Sequence, residues 1–119
     1  MTKNQKKQLI KKLETLNGLS FEIRQLKRRL EENNDAVLKN SLEDVEKEYN
    51  RYVYAIAQIE SPHKREILRL RYIDNATWKA IAYEFYGHEV DFSNSIDRYL
   101  RRCYDARNSA LEELEKKLK

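Results

Sequence analysis

The chain has 119 residues, 37% of them charged, with a formal net charge of +4 and only two glycines, one proline and one cysteine. At that length about two-thirds of the unfolded surface can be buried, in one domain, and the scarcity of Gly and Pro beside abundant Leu, Lys, Glu and Arg predicts an all-α fold. No charged start leads into an unbroken apolar run, which argues against a secretory leader or a membrane span, and the lone Cys103 rules out an internal disulfide, as expected of a soluble protein in a reducing cytoplasm.

The charge is unevenly placed. Residues 1–30 hold nine Lys/Arg against two Glu, residues 31–61 hold three basic against eight acidic, residues 62–109 hold nine against seven, and the last ten balance. A basic stretch beside an acidic one predicts two helices that attract each other, whereas a nucleic-acid-binding tail would be basic with few apolar residues. In the first segment Leu9, Leu16, Ile23 and Leu30 recur every seven residues, with Leu19 and Leu26 between them and Lys12 interrupting that second series. This is a coiled-coil-like seam. The polar run "EENND", residues 31–35, predicts a turn. A second seam follows in Leu38, Leu42, Val45, Tyr49, Tyr52, Ile56 and Ile59. Residues 1–60 therefore read as an antiparallel helical hairpin that packs on the rest of the chain or pairs with a second copy, since heptads look the same in either case.

Ser61-Pro62 supplies a capping serine and a proline at the first helical position, so a new segment, 61–119, begins there. Ile67, Leu68 and Arg71/Tyr72 mark its inner side. "DNAT", residues 74–77, stops that helix and offers Thr77 as the next cap. Trp78, Ile81, Ala82 and Phe85 then form an apolar stripe. After "GHEVD" a long last helix is expected to start near Phe92 or Ser93, with Ile96, Tyr99/Leu100, Cys103, Ala106, Ala110, Leu111, Leu114 and Leu118 inward.

Enzymatic chemistry finds no support: His63 and His88 lack partners at metal-ligand spacing, no Gly-rich phosphate loop exists, and no nucleophile is singled out. No metal or cofactor is expected. The stretch "TWKAIAYEFYGHEVDFSNSIDRYLRR", residues 77–102, instead has the parts of a helix-turn-helix. Ala82 supplies the small interhelical contact, Gly87 the turn, and Ile96, Leu100 and Cys103 the buried edge of the second helix. The polar edge of that helix comprises Ser93, Asn94, Ser95, Asp97, Arg98, Arg101 and Arg102, with Thr77 and Lys79 at the start of the first helix completing a candidate DNA-binding set. Arg suits guanine and Asn suits adenine in the major groove, while Ser and Thr hold phosphates. The earliest residues of the helix are expected to read bases, and Arg101 and Arg102, one turn on, to meet phosphate. The plainer account makes these arginines a solvated face or partners of Asp97 and Asp105. Most of Trp78 and the eight tyrosines are expected to pack the core rather than stack on bases, and Cys103 to be a small buried hydrophobe.

From Ser61 onward, "SPHKREILRLRYIDNATWKAIAYEF" resembles region 4 of sigma-70-type bacterial factors and, more closely, a family of small phage and prophage regulators with such a helix-turn-helix. The resemblance rests on Pro62, "LRLRYI" at 68–73, Trp78 and Ile81-Ala82, and covers about residues 56–107. It implies sequence-specific binding to double-stranded promoter DNA in a bacterial host cell, activation of late or packaging genes, and contact with RNA polymerase. A helical interaction protein, such as a phage antagonist of a host complex, is the rival of a different class, and a small DNA-packaging subunit is a third reading. In one respect the chain departs from the family pattern. Ala82 and Ile96 are fourteen residues apart, where about ten is usual, so either "YGHEVD" loops out or Phe92 takes the buried role and moves the exposed face by about one turn.

Overall fold

A computed structural model describes all of residues 1–119 and is entirely helical, with no strand. Its helices are α1 (Lys3–Glu14), α2 (Leu16–Glu32), α3 (Ala36–Ala57), α4 (Pro62–Leu68), α5 (Trp78–Tyr86) and α6 (Ile96–Leu118). Between α4 and α5, Arg69–Ile73 form a wider π-helical turn, closed by the Asp74 N–H donating to the Arg69 carbonyl at 2.9 Å. None of these helices is long and apolar enough to cross a membrane.

Most helix starts follow from local capping. The Thr2 hydroxyl accepts from the Gln5 amide while the Gln5 side chain accepts from the Thr2 amide, a reciprocal box at the head of α1. Asp35 caps α3 through the Val37 amide at 2.8 Å, Ser61 caps α4 ahead of Pro62, and Thr77 caps α5 through the Ala80 amide at 3.1 Å. Asn75, with φ 58°, turns the chain between the π-helical turn and α5, and Asn tolerates that left-handed region better than most residues.

The first thirty residues depart from the expected continuous helix. The Thr15 hydroxyl donates to the Lys12 carbonyl at 2.6 Å, and the chain breaks there into α1 and α2. A β-branched hydroxyl residue that bonds backward to the main chain competes with the helical ladder, which accounts for a break at this position. Its consequence is a change of partner. Leu9 and Leu13 of α1 enter the main core beside α6, while α2 packs along α3 and adds Leu16 to that core. The hairpin is therefore α2 and α3 alone, joined through Asn33–Asp35, and not the whole of residues 1–60. Helices α2 and α3 are each close to charge-balanced, and one ion pair links them, Lys27 with Glu46 at 3.8 Å.

Two clusters hold the molecule. The larger joins Leu9, Leu13 and Leu16 to Tyr52, Ala55, Ile56, Ile59, Leu68, Tyr72, Ala110, Leu111 and Leu114, so it draws on residues either side of the 60/61 boundary. The smaller comprises Ile67, Ile81, Ala82, Tyr99 and Cys103. Helix α6 runs through both. Beyond them the far end of the hairpin is thinly covered: Leu26 is buried, but Ile23, Leu30, Leu38, Leu42 and Val45 are only half-buried. The molecule measures 56 × 30 × 24 Å with a radius of gyration of 17.1 Å. A compact chain of this length would have about 13–14 Å, and the projecting hairpin accounts for the excess.

Candidate nucleic-acid interface

The smaller cluster fixes α5 across α6. Ile81 and Ala82 are fully buried against Tyr99 and Cys103, and Ala82 is small enough to let the helices approach. At one end of α5, the Trp78 ring meets Tyr104 edge-on at 4.9 Å, and at the other Tyr86 stacks on Tyr99 at 4.9 Å. The two ends of α5 are thus pinned at different levels of α6. Burial of Cys103 raises its thiol pKa.

Gly87 stands at the C-terminal cap of α5, where a Cβ would lie 2.5 Å from the Tyr83 carbonyl oxygen and 2.8 Å from its ring. From Gly87 to Ser95 the chain makes successive turns, with Glu89 donating to Tyr86, Phe92 to Glu89, and Ser95 to Asp91. Phe92 packs inward onto the smaller cluster, edge-on to Tyr83 and tilted against Tyr99. The two expectations for the long turn therefore combine. The chain leaves the helical path after Tyr86, from Gly87 onward, and Phe92 takes an apolar role ahead of a half-buried Ile96.

The start of the last helix needs correction: α6 begins at Ile96, not near Phe92 or Ser93. Ser93 and Asn94 are exposed in the turn before it, and Ser95 stands at the N-cap position without a capping side-chain bond. Asp97, Arg98, Arg101 and Arg102 are exposed on the helix itself. At the head of α5 Thr77 and Lys79 are exposed too, though the Thr77 hydroxyl is engaged as a cap. The later start moves the positions nearest the beginning of α6 along by about one turn, to Asp97, Arg98 and Arg101.

These arginines are not equivalent. Arg98 forms an ion pair with Asp91 and lies against Tyr99, whose hydroxyl donates to Asp91. The Tyr99 hydrogen bond, and then the Arg98 charge, hold the Asp91 carboxyl below its ordinary pKa, and the same contacts raise Arg98. Arg102 lies over the rings of Tyr99 and Tyr86 at 5.2 and 5.8 Å. Arg101 has neither an ion-pair nor an aromatic partner. Asp97 and Asp105 pair with none of the arginines, so helical-spacing ion pairs do not account for them.

A second cationic cluster was not legible in the motif. Arg71 and Arg107 lie over Trp78 at 5.0 and 5.2 Å, and Arg107 donates to the Tyr72 hydroxyl at 3.2 Å. A signal for it did exist: Arg107 falls between Cys103 and Ala110, at a spacing that places a charge on the apolar edge of α6. The aromatic residues divide as well. Tyr52, Tyr72 and Tyr99 are buried as expected, whereas Tyr54 and Tyr83 are about two-thirds exposed, at 69% and 66%. Tyr83, Ala80, Phe92, Ile96 and Leu70 line an apolar hollow of about 500 Å³ beside α5.

No group of His, Cys, Asp and Glu is placed to hold a metal ion. In comparison with known proteins, no family model matches the chain, and neither a curated protein nor a solved structure matches it.

Proposed function

We infer that the chain is a DNA-binding transcriptional regulator of phage or mobile-element type, with α6 entering the major groove and α5 lying across it. The observation that carries this reading is the division of α6. One edge is locked by Tyr99 and Cys103 against α5, while the other exposes Asp97, Arg98, Arg101 and Arg102, of which Arg101 has no ion-pair or aromatic partner. Arg101, free of protein partners, is the leading base contact. Asn94 and Ser93 in the preceding turn, with Thr77 and Lys79 at the head of α5, reach toward the sugar-phosphate backbone.

The test is an electrophoretic shift assay on duplexes tiled across the DNA that encodes and flanks the protein, run over a salt series. Wild type is expected to form a complex that weakens steeply with salt, and Arg101→Ala to lose about 1–3 kcal/mol on a specific site. Absence of any complex at low salt, with a protein partner recovered instead, would overturn the reading.

The apolar hollow beside α5 favours one additional partner. Its walls are uncharged apart from Lys79 and Glu84, which suits a protein surface better than a phosphate, and RNA polymerase is the natural candidate for an activator. The half-buried seam of α2 and α3 supports self-association. Sedimentation of wild type and Leu42→Lys checks this, with a dimer lost in the variant as the expected result.

A further inference from the structure

In the turn before α6 and along its exposed edge, Asp91, Asp97 and Asp105 stand against Arg98, Arg101 and Arg102, so three acids offset three bases. This edge has little net attraction for a polyanion, whose binding is driven largely by neutralising phosphates. Elsewhere the molecule has a cleft of about 580 Å³ between α1 and α6, lined by Lys3, Lys6, Lys7 and Arg107 with the amides Asn4 and Asn108. No carboxylate lines it, and none of its four cations has an ion-pair partner. The first turn of α1 also lacks an acidic residue, so the amide end of that helix adds to the positive field.

The cleft is placed beside the exposed edge of α6. Asn108 follows Arg101 by seven residues, two helical turns or about 10 Å along the same stripe, with Tyr104 between them and 37% exposed. Arg107 is held in place by Trp78, Tyr104 and the Tyr72 hydroxyl, all neutral groups, so its charge is positioned without being cancelled. Taking the DNA-binding reading as its basis, we propose that this cleft grips the phosphate backbone of the duplex next to the segment read by α6. It supplies the attraction that the recognition edge lacks. The break at Thr15 separates α1, which carries these three lysines beside Arg107, from α2 of the hairpin.

The experiment uses the full chain and a fluorescent duplex of random sequence, about 30 base pairs long, followed by anisotropy over a potassium chloride series. Each phosphate contact contributes about 0.9 to the slope of log affinity against log salt. Lys3→Gln/Lys6→Gln/Lys7→Gln is expected to reduce that slope by about two to three and to bind more weakly at low salt, with an unchanged melting temperature because none of the three side chains is buried. Lys3→Arg/Lys6→Arg/Lys7→Arg is expected to keep the wild-type slope. If wild type binds the duplex and the glutamine variant shows the same slope, the cleft assignment is overturned and the DNA-binding reading stands. If wild type does not bind the duplex at low salt, both fall. Wild-type binding to phosphatidylglycerol vesicles but not to the duplex would overturn the assignment in favour of a membrane surface.

Discussion

Tyr99 donates its hydroxyl to the Asp91 carboxylate at 2.5 Å, and this bond ties the turn before α6 to a residue of the buried edge of α6 itself. Asp91 is also the acceptor that closes the turn from Asn94 and Ser95 through its backbone carbonyl. One residue thus organises the segment that decides where α6 begins. Because its folded pKa is lowered, Asp91 contributes stability above the ordinary carboxylate range, near pH 4, and loses it as the pH falls through the lowered value. The melting temperatures of wild type and Asp91→Asn are therefore expected to differ at neutral pH and to converge in acid. In Tyr99→Phe the carboxyl of Asp91 should titrate higher, followed by carbon-detected NMR of the side chain.

Asp91 also occupies Arg98. Removing the carboxylate frees the guanidinium and deletes a negative charge from the proposed DNA-facing edge. Asp91→Asn should therefore bind a random duplex more tightly than wild type at low salt, by a few-fold, although it folds less stably. Affinity equal to or below wild type would mean that the order of the turn matters more than the charge it withholds.

The break at Thr15 makes a prediction about the core. Leu16, fully buried at the junction, belongs to the main cluster, whereas Leu30, at an equivalent heptad position, is only half-buried near the hairpin end. Leu16→Ala should cost about 2–5 kcal/mol of unfolding free energy and Leu30→Ala clearly less, as measured by chemical denaturation. Equal losses would indicate a uniform seam along residues 1–30.

The two glycines should respond in opposite directions. Gly18 lies inside α2, where a Cβ would have no neighbour within 4 Å, so Gly18→Ala is expected to stabilise by about 0.5–1 kcal/mol through helix propensity. At Gly87 the same change drives a methyl group into the Tyr83 carbonyl and ring, and a loss of about 1–3 kcal/mol is expected. Thermal unfolding of the two variants checks both signs.

Local chemistry in the sequence determined the helical class and most helix starts. Caps at Asp35, Ser61-Pro62 and Thr77 act within three residues, and the stripe Trp78, Ile81, Ala82 needs only the helical period to be read. The inward edge of α6 from Cys103 to Leu114 was legible for the same reason. The tertiary structure decided what depends on which helix lies against which. Leu9 and Leu13 pack beside α6 because the helix breaks at Thr15, an alternative that heptad spacing does not weigh against an unbroken helix. The start of α6 at Ile96 follows from Phe92 and Asp91 finding partners on Tyr99, and the acid-free cleft exists only once α1 is laid beside Arg107. Contacts between residues distant along the chain leave no periodic trace, so composition and spacing supplied the elements, and packing settled which charges remain free.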